Sequence, residues 1–303
     1  MPFLLRTTLI LGSALLFLGS KFVSAAVVTL SPSADTSIME IAPFNNLGAM
    51  QSLAVGVTGT ESPARGLLKF DFSNVPANAL VTSAELSLTV VRQPGLVDDS
   101  TFDLHRLQVA WGEGNKGAGL LTGSGSPATD GEATWAARMA PLTFWGDAGG
   151  AADSDYDATP SSSADTGTLI VFESTSAMVA DIQSWLSNPA SNFGWLIKDR
   201  VESSAQTARR LGSRENASAP PRLTINYTVA SVLKITDIIN ESGQICFSFL
   251  AAAGKSYRVE RRSSVDAGDW SVVQEIPSAA GAHPVNVCDT ILTGASFYRV
   301  AEF

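Results

Sequence analysis

Apolar and polar residues alternate along most of the chain. In Arg65–Ser73, Leu67, Lys69 and Asp71 fall on one face and Leu68, Phe70 and Phe72 on the other; in Ser83–Val91, Leu86, Leu88 and Val90 oppose Glu85, Ser87 and Thr89. A period of two over this length is the mark of a strand with one buried face. Similar runs at TFDLHRLQVAW (101–111), TLIVFEST (168–175), NFGWLIKDR (192–200) and PRLTINYTV (221–229) predict further strands. Many short strands broken by Gly, Pro and Ser imply an all-β sandwich rather than an α/β fold. One segment departs from the pattern. Met178, Ile182, Trp185 and Leu186 recur at helical spacing, with Ser176 placed as an N-cap and Pro189 just beyond the end, so a short amphipathic helix is expected over 177–186.

Between Trp111 and Gly167 the periodicity vanishes and Gly, Ser, Ala and Asp dominate. A segment of this length without regular structure is usually functional or disordered, so a site is expected in it or on the strands beside it. A second change falls near residue 230. The remainder reads as about six short strands, a second and smaller β module over 230–303. At the other end, Arg6, the apolar run Leu9–Leu18 and small residues at Ser24 and Ala25 have the order of a secretory signal peptide over residues 1–25. The apolar run is shorter than the roughly 20 residues a bilayer span needs. The expectation is an exported, secreted protein of two domains, 26–229 and 230–303, without membrane insertion.

The formal charge of −9 becomes −11 once Arg6 and Lys21 leave with the signal. Nucleic acid and anionic lipid both require a cationic face, so neither is an expected partner. With only His105 and His283 in the chain, a His-rich metal site is excluded by count. The two cysteines, Cys246 and Cys288, lie in the last quarter of a chain directed to an oxidising compartment, where a disulfide is the default. Strand parity supports the pairing. Ile245, Phe247 and Phe249 would face the core with Cys246 outward, and Val285 and Val287 would do the same with Cys288 outward.

The order of short motifs is that of a known group. ADTSI (34–38), NNLG (45–48), LAVG (53–56), RGLLKFDFSNVP (65–76), ATW (133–135), GWLIKD (194–199) and GSRENASAPPRLTINY (212–227) follow one another as in DNRLRE-domain proteins, and residues 27–229 resemble that family. The resemblance implies a jelly-roll-like β-sandwich of secreted proteins, one that includes carbohydrate-binding modules and often accompanies polysaccharide-degrading enzymes. The 230–303 tail similarly resembles small fibronectin-like β modules of bacterial secreted and surface proteins.

The expected function is therefore non-catalytic binding of an extracellular polysaccharide, with other polysaccharide-processing proteins as possible associates. Sugar rings present C–H faces that pack on aromatic rings, which singles out Trp145 and Trp135 in the irregular segment. Arg65, Lys69 and Lys198 are the cations on adjoining strands. Stretches such as 26–64 carry no Lys or Arg at all, so a neutral or mixed glycan fits better than a polyanion. Asp153, Asp155 and Asp157 alternate in GGAADSDYDATP and are candidate ligands for a structural Ca²⁺, the one cofactor entertained, although Ala158 and Ala164 stand where an EF-hand loop needs Gly and Glu. No nucleophile or zinc motif occurs, and carboxylates alone do not make a glycosidase. An enzyme is not expected; the competing reading is a structural or adhesive protein with no specific glycan.

Overall fold

The computed structural model describes residues 15–18, 21–117, 123–233, 235–241, 243–264, 268–290 and 296–303. Most of the expected export signal lies outside them. The chain divides into two compact units: Ala25–Val229, and Ala230–Phe303 together with the described part of the first 24 residues. No helix among the described residues is long and apolar enough to cross a membrane.

The larger unit is an all-β sandwich with one helix. Its front sheet runs in the order Ser162–Asp165, Thr101–Arg106, Trp195–Asp199, Pro63–Phe70, with Pro32–Met39 and Ser52–Val57 both pairing with Pro63–Phe70. The back sheet runs Leu169–Phe172, Ala79–Arg92, Arg222–Val232, Lys21–Leu30. Arg209–Gly212 pairs with Ser52–Val57 on one side and with the end of Ala79–Arg92 on the other, joining the two sheets. Between them lies the main core, built from Leu68, Phe70, Leu86, Leu88, Phe102, Leu104, Trp195 and Leu223.

The helix spans Ser176–Ser187 and packs Met178, Ile182, Trp185 and Leu186 into that core. Its N-cap is Thr175 rather than Ser176. The Thr175 hydroxyl accepts the Met178 N–H at 3.0 Å, satisfying one of the donors a helix start leaves open. Trp185 stands edge-on to Trp195 with centroids 4.6 Å apart, which ties the helix to the front sheet.

Alternation misleads in one place. Leu67 and Leu68, and likewise Leu196 and Ile197, are consecutive residues that are all fully buried. The segment after Trp111 folds over the outer face of the front sheet and covers it. Leu67, Leu107, Trp135, Trp145, Tyr156 and Leu196 form a second core there, with Trp111 packed at its margin. Gly149 follows from this packing: a Cβ there would stand 2.7 Å from the Trp135 ring, and its φ of +86° suits only glycine without strain.

The smaller unit holds two sheets. Ile235–Glu241, Gln244–Ala251 and His283–Thr290 form one; Ser271–Ile276, Tyr257–Arg262 and Ser296–Glu302 form the other, with Leu15–Leu18 running parallel along Ser296–Glu302. Ile245, Phe247, Phe249, Val285 and Val287 point into the core. Cys246 and Cys288 sit directly opposite one another on the other face and are joined by a disulfide.

Two outcomes test this architecture. Were the outer face of the front sheet wet, Leu67→Ala would be nearly neutral; its burial predicts a loss of about 2–5 kcal/mol in urea unfolding. Replacing both cysteines with serine releases a crosslink between residues 42 apart in sequence. The expected cost is about 4 kcal/mol on the chain-entropy account, measurable as earlier proteolysis or unfolding of the 230–303 unit.

Candidate functional site

The residues singled out in the sequence come together in part, in a structural role. Trp135 and Trp145 are 7% and 5% exposed, and the Trp145 indole N–H donates to Thr134 O at 2.8 Å. Neither ring offers a face to a sugar. Arg65 lies over the Trp135 ring at 5.1 Å from its centroid. Its guanidinium pairs in bidentate fashion with Glu202 at 2.8 and 2.6 Å and donates to Gly149 O and Gly150 O. Lys198 reaches the same Glu202 carboxylate at 3.3 Å and donates to Asp199 O. These two cations are thus paired through Glu202, and Arg65 also binds the covering segment to the sheet.

Lys69 is apart from them, lining a cleft of 660 Å³ at the helix end with Asp71, Phe72, Trp185 and Asn192. Asp71 is held below the usual carboxylate range by the Ser73 N–H and hydroxyl, and Lys69 adds to the effect.

The three aspartates of the 153–157 loop do not converge. Asp155 is buried, one of its carboxylate oxygens accepting the N–H groups of both Gly146 and Ala151 at 2.7 Å. Asp153 accepts from Ala158 N–H, and Asp157 from the Gln108 amide. Each carboxylate is engaged by a different part of the chain.

Among the described residues, the carboxylates that do meet are Asp35, Glu113 and Glu215, with oxygens within 4.8 Å of one another. They come from the Pro32–Met39 strand, the segment after Trp111 and the turn after Arg209–Gly212. Glu113 accepts the Asp35 N–H at 2.8 Å, and Asp35 accepts the Arg214 N–H at 2.8 Å. The Arg214 Nε lies 2.7 Å from Glu113 and 2.8 Å from Glu215. A hard cation would need six or more oxygens; here one guanidinium supplies the positive charge. Burial pushes the Asp35 carboxyl up to about 8, with the Glu215 and Glu113 charges adding to the rise and the Arg214 N–H opposing it. Burial raises Glu113 as well.

A second cleft, of 760 Å³, has a different character. Its lining includes Arg92, Arg209 and Arg210 with Gln51, Gln93 and Asn216, and among the described residues no carboxylate, histidine or cysteine lines it. The strand register explains the convergence: Arg210 pairs directly with Arg92 where the joining strand meets the back sheet. Burial, and then the neighbouring charge of Arg92, push the Arg210 guanidinium down. Its Nη1 is buried without a hydrogen-bond partner among the described residues. Arg209 is anchored inward, donating to Thr207 O and Asp98 O. The sequence names Arg209 and Arg210 as a pair of cations but holds no local sign that Arg92, over a hundred residues earlier, completes the set.

With this geometry in place, residues 26–136 match carbohydrate-binding module family 96. The match takes in the strands from Pro32–Met39 to Thr101–Arg106, the Arg92 side of the cleft and the start of the covering segment. No curated protein matches the chain.

The carboxylate cluster predicts a pH dependence of stability. A carboxyl raised from 3.8 to about 8 on folding favours the folded state fully below its unfolded value, and this contribution is lost as pH climbs toward the folded value. Thermal unfolding of the wild type should therefore weaken between pH 4 and pH 8 more steeply than that of Asp35→Asn, which keeps an acceptor for the Arg214 N–H but cannot ionise. Parallel slopes for the two proteins would contradict it.

Proposed function

We propose that the 26–229 unit is the carbohydrate-binding module of an exported protein, that it takes its glycan in the arginine-lined cleft, and that it performs no chemistry on it. The match to a carbohydrate-binding family over 26–136 carries the ligand class. Much of the cleft's lining comes from that stretch: Met39, Met50–Ser52, Ala54, Thr58, Ala64 and 91–95.

The lining chemistry supports binding without catalysis. Hydrolysis of a glycosidic bond uses two carboxyl groups flanking it, and none lines this cleft among the described residues. What it offers instead is amide and hydroxyl groups for sugar hydroxyls, and two guanidinium groups side by side without a carboxylate between them. Like charges held together in a half-buried site are relieved by an anion. The ligand that fits is a mixed polysaccharide, mostly hydroxyls with a carboxylate or sulfate at intervals. The signal-like order of residues 1–25 supports export, and the partners proposed beside the glycan are proteins that process the same polysaccharide.

The experiment is affinity electrophoresis or pull-down of the mature protein on a panel of neutral and acid-bearing polysaccharides. Retention is expected on the acid-bearing members and is expected to fall with added salt, as exposed charge pairs are screened. Arg92→Ala, an exposed position, should weaken binding by about tenfold, as for loss of one charge-assisted hydrogen bond, with its melting temperature unchanged. Absence of retention across the panel, or release of reducing ends, would refute the proposal.

A further inference from the structure

With four of the larger unit's five indoles buried and Trp111 half-buried with its N–H on Phe193 O, the most exposed aromatic rings of that unit lie elsewhere. Phe44 is 71% exposed and Phe144 is 60% exposed, and Ile41 and Leu142 are exposed beside them in sequence. Single exposed apolar residues are ordinary on a protein surface. These four fall on two neighbouring loops. The Ala136 N–H donates to Pro43 O at 3.0 Å and the Ala128 N–H to Phe44 O at 3.0 Å, while Phe144 pairs with Ala137 across a two-strand ribbon. The path from Phe44 to Phe144 is thus two peptide steps and two hydrogen-bonded pairs, which keeps their Cα atoms within about 20 Å. Both loops are held by backbone bonds, so the rings are presented with little ordering left to lose on binding.

We infer that Phe44 and Phe144 form a stacking platform for the uncharged rings of the same glycan whose charged substituent enters the arginine cleft; this rests on the carbohydrate-binding reading above. Three observations favour a saccharide there. The platform adjoins the cleft: Met39 lines the cleft and its carbonyl accepts the Ala42 N–H, and Gly123 lines it while the next residue, Ser124, accepts the Asn45 side-chain N–H at 2.9 Å. The exposed charges on these loops are acidic, Glu40, Asp130 and Asp147, while the half-buried Arg138 turns a guanidinium N–H to Ala110 O; this balance disfavours an anionic sugar or an anionic membrane at this spot and suits a neutral ring. The apolar area is also small. A stable protein partner covers about 800 Å² and twenty or more residues on each side, whereas two phenyl faces flanked by Ile41 and Leu142 suit a short run of sugars.

The test is isothermal titration of wild type, Phe44→Ala, Phe144→Ala, the double variant and Arg92→Ala with oligosaccharides of the retained polysaccharide, at low and high salt, with sedimentation of each protein. The double variant should bind about tenfold more weakly, by the same factor at both salt concentrations and with unchanged melting. The Arg92→Ala loss should shrink at high salt. Phe44→Tyr should retain affinity. Wild-type binding with an unaffected double variant would overturn the platform while leaving the carbohydrate reading in place; absence of any wild-type binding would remove the reading beneath it. A wild type that sediments as a dimer and a double variant that sediments as a monomer would make the patch a contact between copies, and would also overturn the inference.

Discussion

The larger unit depends on burying its front sheet from both sides. An antiparallel sheet usually leaves one face to water, yet Leu67 and Leu196 are as fully buried as Leu68 and Ile197. A sheet with leucines on both faces is stable only when a second layer covers it, and here the layer is the glycine-rich segment that follows Trp111. Because that segment has little secondary structure of its own, large side chains hold it down. Trp135, Trp145 and Tyr156 supply the apolar area, and Arg65 ties its Gly149 and Gly150 carbonyls to the sheet while pairing with Glu202.

Covering the sheet decides which charges are free. A cation taken into the interior requires a partner, and Arg65 and Lys198 share Glu202. Arg214 is divided between Glu113 and Glu215 next to Asp35, gathering three distant parts of the chain at one point. Arg65 and Lys198 are thereby used in holding the front sheet, and Arg214 in holding the three carboxylates together. Arg92 and Arg210 differ because the register of the joining strand brings them beside one another in an open cleft lined by amides and hydroxyls. Arg210 donates one nitrogen to the Gly123 carbonyl and leaves Nη1 without a hydrogen-bond partner among the described residues, which is why the proposed ligand is placed there.

Aromatic residues sort in the same way. The indoles, the largest apolar groups available, go to the places that most need area, between helix and front sheet and beneath the covering layer. The smaller rings Phe44 and Phe144 remain on loops whose backbone bonding is complete without them. A search for the largest aromatic in the most glycine-rich surroundings therefore leads to Trp145, a core residue, and away from its exposed neighbour Phe144.

The amino-acid sequence by itself determined the features that are local. Alternation marked the strands, a 3.6-residue recurrence marked the helix to within two residues, and the parity of Gln244–Ala251 and His283–Thr290 turned Cys246 and Cys288 away from the core, where the pairing of their strands sets them opposite one another. Even the cap was within reach, since Thr175 and Ser176 both carry a suitable hydroxyl and only the backbone conformation chose between them. Tertiary structure alone decided that the front sheet is covered twice, that Arg65 meets Glu202 across 137 residues, that the 153–157 aspartates take separate hydrogen-bond partners, and that Arg92 and Arg210 share a cleft. The reason is physical. Periodicity records which side of one element is apolar, whereas pairing and desolvation of a charge depend on what the rest of the chain lays against it.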